Sequence, residues 1–101
     1  MSFITLAYLV IGKGYDPQTS RVSIERPGSK VWMIGVNDME QAKAVAKDLI
    51  AEGVDALEVC GGFGEARVRE LIDAIDGAIP VGHVTTLPSE REKMQAVFTK
   101  K

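Results

Sequence analysis

Three apolar segments of strand length, separated by two helical patterns, restrict this chain more than any other feature. The segments are residues 31–36 (V-W-M-I-G-V), 54–60 (V-D-A-L-E-V-C) and 79–84 (I-P-V-G-H-V). Between the first two, Met39, Ala42, Val45, Ala46, Leu49 and Ile50 fall on one face of a helix. Asn37 or Asp38 can cap it, and Glu40 stands three places after Asn37, as in a capping box. Gly53 fits the left-handed residue that closes a helix. Between the second and third segments, Val68, Leu71, Ile72 and Ile75 mark a second helix over residues 65–76, closed by Gly77. Such an alternation implies parallel strands joined by right-handed crossovers. If the sheet grows in one direction, both helices cover the same face. The other face then needs the terminal helix, the segment 12–30 or a second subunit.

The remaining segments extend this frame. Residues 3–11 (F-I-T-L-A-Y-L-V-I) are almost continuously apolar, which suits a central strand. Residues 22–25 read as a short edge strand, and Arg26-Pro27-Gly28-Ser29 fits a type II turn leading back into residues 31–36. Ser89 and Glu92 form a possible capping box for a terminal helix with Met94, Val97 and Phe98 as its apolar stripe. The expected fold is α/β. It is a small, mainly parallel sheet of four to five strands built from consecutive βαβ units, with two crossover helices and a C-terminal helix, in one domain over residues 1–101.

Composition narrows the function classes. At 101 residues, 46% hydrophobic and 26% charged, the chain is an ordinary globular domain with one core. A net charge of −2, with no basic stripe, argues against a nucleic-acid partner. A single cysteine and a single histidine rule out an intramolecular disulfide and argue against a Cys- or His-based metal site. Residues 1–11 lack the basic start and cleavage site of a signal peptide, and no apolar run is long enough to span a membrane. The expectation is a cytoplasmic protein with no cofactor or metal. So short a chain buries a limited share of its surface, so a homo-oligomer is expected, most simply a dimer.

The turn at residues 60–65, C-G-G-F-G-E, is the main candidate site. Ligands of open α/β sheets gather beyond the carboxyl ends of the strands. Gly61, Gly62, Phe63 and Gly64 could offer free backbone N–H groups beside a helix start, or could simply be a tight turn needing positive φ. The stretch is not a P-loop, and Arg67 stands where a dinucleotide fingerprint has its third glycine. Glu65 disfavours an anion and suits a hydroxyl- or amine-bearing ligand better. Cys60, at a helix N-terminus, is a conceivable nucleophile with His83 as its base; the plainer alternatives are a small buried hydrophobe and a structural histidine. Glu58 shares a strand face with Ala56 and Cys60, so that face is wet, or Glu58 pairs with Arg21 or Lys13, or it lines a subunit contact. Tyr15 and Arg21 lie in the longest irregular segment and are candidate ligand contacts. If the first strand is parallel to the others, residues 12–16, 37–38, 60–65 and 83–86 meet at one sheet edge.

The order G-Y-D-P, G-V-N, E-V-C-G-G-F-G-E and I-P-V-G-H-V resembles a family of small bacterial proteins known only as a domain of unknown function. The resemblance covers almost the whole chain, and C-G-G-F-G is its most specific part. It implies a stand-alone domain and carries over no activity or catalytic residues. Three function classes follow from the residues: a binding module for a small polar ligand around Cys60–Glu65, a small enzyme using Cys60, His83 or Glu58, and an assembly protein without a ligand.

Overall fold

The structure, a computed structural model, describes residues 3–100. Its strands are β1 (Ile4–Ile11), β2 (Arg21–Arg26), β3 (Ser29–Val36), β4 (Ala56–Val59) and β5 (Val81–His83). Its helices are α1 (Met39–Ala51), α2 (Gly64–Ala74) and α3 (Arg91–Phe98). The five strands form one sheet in the order β2-β3-β1-β4-β5. β1 runs parallel to both β3 and β4, and β4 parallel to β5. β2 alone is antiparallel, to β3, so the sheet is mixed. The βαβ pattern covers β3-α1-β4-α2-β5, but β1 reaches β3 without a helix, through residues 12–20 and the β2–β3 hairpin. Pro27 fixes the turn chemistry of that hairpin. A proline cannot take positive φ, which excludes a type I′ or II′ turn, and Gly28 supplies the positive φ of 83° that a type II turn requires.

Local sequence sets the helix ends. Asp38 is the N-cap of α1, and its carboxylate accepts the Gln41 N–H at 2.9 Å. Gln41 Oε1 in turn accepts the Asn37 N–H at 2.7 Å. The reciprocal cap therefore sits one residue later than the Asn37–Glu40 box expected from sequence, because Gln41, not Glu40, can reach back once Asp38 takes the extended cap conformation. At the other end Gly53 N donates to Ile50 O and Val54 N to Leu49 O, with Gly53 at φ 95°. That is a Schellman closure, and it drops the buried Val54 onto the buried Leu49. α2 ends differently from expectation: Asp76 takes the left-handed φ of 54° before Gly77 does, and Gly77 N donates to Ile72 O. Asp is among the few residues that tolerate this region. Lys43 of α1 and Glu70 of α2 bridge the helices at 2.7 Å.

Both crossover helices lie on one face of the sheet. Ala7, Leu9, Ile34, Val36, Leu57 and Val59 point toward them and are buried with Ala42, Val45, Ala46, Leu49, Val68 and Leu71. The strand register defines the opposite face in rows. Val22, Met33, Tyr8, Glu58 and Gly82 form one row; Ile24, Val31, Leu6 and Ala56 form the next. None of these residues is buried, and Ile24 is 72% exposed.

The terminal helix does not cover that face. Every residue from Leu87 to Lys100 is exposed, and the main packing partner of α3 is the 3-10 turn Pro88–Glu90 just before it. No side chain caps α3, so the Ser89–Glu92 box does not form; the 3-10 turn places Glu90, not Ser89, at the cap.

Two outcomes follow. Leu9 is fully buried on the central strand, so Leu9→Ala should cost about 2–5 kcal/mol in a urea titration. A loss below about 1 kcal/mol would place the core elsewhere. The Asp38 carboxyl is held below the usual carboxylate range, first by the Gln41 N–H and then by the Asn37 side chain. A lowered folded-state pKa adds stability that is present above the unfolded value and is lost as pH falls through the folded one. Asp38→Asn should keep the cap and flatten that acid limb of the stability curve, read by thermal melts in acid and at neutral pH.

Candidate functional site

Parallel pairing brings the carboxyl ends of β1, β3, β4 and β5 to one edge. Backbone bonds fasten the loops there. Gly12 N donates to Val36 O at 2.9 Å, Cys60 N to Leu9 O at 3.0 Å, and Val84 N to Val59 O at 3.0 Å. Gly14 N donates to Asn37 Oδ1 at 2.7 Å. A cleft of about 250 Å³ opens at this edge, walled by Ile11, Gly12, Lys13, Asn37, Asp38, Met39, Gly62 and Arg67. Lys13 and Arg67 make no salt bridge among the described residues, while Asp38 is committed to the α1 cap. The cleft thus carries two cations free of salt bridges among the described residues and one carboxylate engaged in the α1 cap.

The glycine turn forms the floor of this edge. Gly61–Phe63 is a single 3-10 turn, with Phe63 N donating to Cys60 O at 3.1 Å and Gly64 N to Gly61 O. Phe63 is buried and pins the turn to the core. Gly64 has φ 71° and ψ 161°, a region essentially reserved for glycine. Gly62 has no such requirement; a Cβ there would stand 3.4 Å from Ile11 Cγ2 and 3.5 Å from Cys60 Sγ. Glu65 points to Arg69 at 3.6 Å, both well exposed, and does not wall the cleft. Two residues further along the helix, on another side of it, Arg67 does.

Cys60, Glu58 and His83 do not meet in one place. The register puts His83 beside Val59, on the helix-bearing face, at the exposed end of β5. Cys60, the next residue after Val59, lies beyond the strand and packs against the core. Its Sγ is turned toward β1, on the side of β4 away from β5, and accepts the Ile11 N–H at 3.4 Å, taking the place a backbone carbonyl would fill in the β1–β4 ladder. Glu58 lies on the helix-free face, over Gly82, where a Cβ would stand 3.4 Å from its Oε2. It is exposed, and no salt bridge joins it to Arg21 or Lys13 among the described residues. Tyr8 pairs with Glu58 in the register, and its phenol is pushed up by burial, then by Cys60 and Glu58.

Tyr15 and Arg21 stand together, away from the carboxyl-edge cleft. The Tyr15 ring lies flat on Gly35 and Gly12; a Cβ on Gly35 would stand 2.7 Å from the ring, and one on Gly12 2.9 Å. Arg21 Nε donates to Pro17 O at 2.7 Å, and its guanidinium sits 5.3 Å from the Trp32 ring centre, which Lys30 approaches at 4.4 Å. Both residues border a shallower hollow of about 370 Å³ on the helix-free side, with Val10, Ser20, Val22 and Met33. Of the residues named in sequence as ligand contacts, Gly62 alone walls the carboxyl-edge cleft; Gly12, Lys13, Asn37 and Asp38 come from segments expected to meet at this edge, and Met39 and Arg67 were not named as contacts. The available signal was Arg67 in the third-glycine position, a cation where an anion-binding fingerprint keeps its helix clear.

Among the described residues no group of three or more His, Cys, Asp or Glu could hold a metal ion, and no helix is long and apolar enough to cross a membrane. A model of a family of unknown function (DUF6506) matches residues 4–99. No curated protein and no solved structure matches the chain.

The turn geometry separates the two inner glycines. Gly64→Ala should cost about 1–3 kcal/mol, while Gly62→Ala, which needs only a small shift of Ile11, should cost clearly less. Equal unfolding midpoints for the two variants would contradict the assigned backbone.

Proposed function

We propose that this chain, which belongs to that family of unknown function, is a homo-oligomeric binding module for a small polar ligand at the carboxyl edge of its sheet. The observation that carries this reading is the cleft between Gly12-Lys13, Asn37–Met39, Gly62 and Arg67. Its volume suits a metabolite-sized molecule rather than a dinucleotide. Its wall mixes apolar Ile11 and Met39 with convergent polar groups, the pattern of small-molecule sites. Lys13 and Arg67 select a ligand with a carboxylate or phosphate group. Asn37 Oδ1, held by Gly14 N, leaves room for hydroxyl or amine groups on the same molecule.

The enzyme alternative finds less support. A thiolate–imidazole pair needs the two side chains within hydrogen-bond reach, and the Cys60 thiol is turned toward β1 while His83 stands on β5, across β4. The Cys60 thiol is also occupied as a hydrogen-bond acceptor in the ladder.

The reading is tested by heteronuclear NMR titration with small hydroxycarboxylates, amino acids and inorganic phosphate. At least one should move the amide signals of Gly12, Asn37, Gly62 and Arg67 together in a saturable way. Arg67→Ala and Lys13→Ala should each weaken that binding about tenfold or more, as expected for loss of a charge-assisted bond. No saturable change at these four amides with any of the probes would overturn the binding module.

A further inference from the structure

We propose that α3 of one copy docks on the helix-free face of the sheet of a second copy, reciprocally, in a twofold dimer. This gives the homo-oligomer reading a surface and does not depend on the ligand. Two unpartnered apolar surfaces exist in one chain. The first is the sheet face made by Ile4, Leu6, Val31, Met33, Val22 and Ile24, with Ile24 72% exposed. The second is the α3 arm, where Met94, Val97 and Phe98 fall on one side of the helix and Phe98 is 77% exposed, with Leu87 exposed just before it. Neither is a scattered surface hydrophobe of the kind any monomer shows, because each is contiguous.

The arm does not reach its own sheet. Residues 84–90 carry the chain away from β5, no α3 residue is buried, and the molecule extends 44 Å along one axis against 28 and 26 Å along the others. The long axis fits a helix held clear of the body. Reciprocal docking would hide arm and face together on both protomers, doubling the contact of a single arm toward the roughly 800 Å² per partner of a stable interface. A single arm on some other partner would cover only half of this surface. Charge also matches. Arg91 precedes Met94 and Phe98 at helical spacing, so it heads the apolar stripe, and it has no salt-bridge partner among the described residues. Glu58, an acid on the receiving face, is exposed and makes no salt bridge among the described residues.

The test combines mass and proximity in the full chain. Light scattering at micromolar concentration should give a dimer. Val97→Glu with Phe98→Glu should weaken dimerisation at least a hundredfold while leaving the circular dichroism spectrum folded, since no arm residue belongs to the core. Proximity is read in a Cys60→Ser background with a short bismaleimide. Met33→Cys protein mixed with Phe98→Cys protein should give a covalent dimer, and neither variant alone should. Cross-linking of Met33→Cys alone would mean sheet-to-sheet packing, and cross-linking of Phe98→Cys alone would mean arm-to-arm packing; either overturns the proposal. A dimer that survives the Val97→Glu/Phe98→Glu change overturns the arm exchange and leaves the oligomer reading standing. A wild-type monomer overturns both and leaves the ligand cleft untouched.

Discussion

β1 is hydrogen-bonded on both sides, to β3 and to β4, and the rest of the molecule is placed by that double pairing. A strand flanked on both edges has all its ladder groups used internally, so its side chains can be apolar on both faces without exposing an edge. With β1 parallel to its neighbours, the carboxyl ends of four strands fall together. The cleft between Lys13, Asn37 and Arg67 exists because residue 12, residue 37 and residue 62 leave the sheet at one place. An antiparallel β1 would have put Lys13 at the far end.

The positions most legible in sequence were those where one local pattern decides the outcome. The faces of α1 and α2 follow from helical spacing, and Ala42, Val45, Leu49, Val68 and Leu71 are buried as that spacing requires. The β2–β3 hairpin follows from Pro27-Gly28, whose conformations leave one turn type. Strand order was not legible, because nothing in residues 4–11 says which two segments flank them. The site was legible as an edge and not as a residue set. Spacing drew attention to the glycines and Glu65, but the direction of a helical side chain depends on how α2 meets the sheet, and that angle places Arg67 on the cleft and leaves Glu65 paired with Arg69. Cys60 and His83 looked like neighbours because they end adjacent strands. Strand order separates them, since the Cys60 thiol is turned toward β1 and His83 stands on β5, across β4.

The two faces of the sheet are treated unequally. One carries two helices, a continuous core and the ion pair between Lys43 and Glu70; the other carries Val22, Ile24 and Met33 in the open and Tyr15 lying on two glycines. The Tyr15 ring accounts for Gly35 and Gly12 better than backbone freedom does. Neither has positive φ, and in each case a methyl group would occupy the space of the ring.

The central place of β1 also has a kinetic side. It precedes the other described strands in the chain, yet its rungs to β4 join residues about fifty positions apart, as Leu6 and Ala56 do. Closing so long a loop is entropically slow, and parallel strands cannot zip from a hairpin. The β2–β3 hairpin can form early and alone and can dock along one edge of the run I-T-L-A-Y-L-V-I, whereas the other edge of that run waits until α1 has carried β4 back to it. The strand flanked on both sides in the finished sheet is thus one whose second edge stays open late in synthesis.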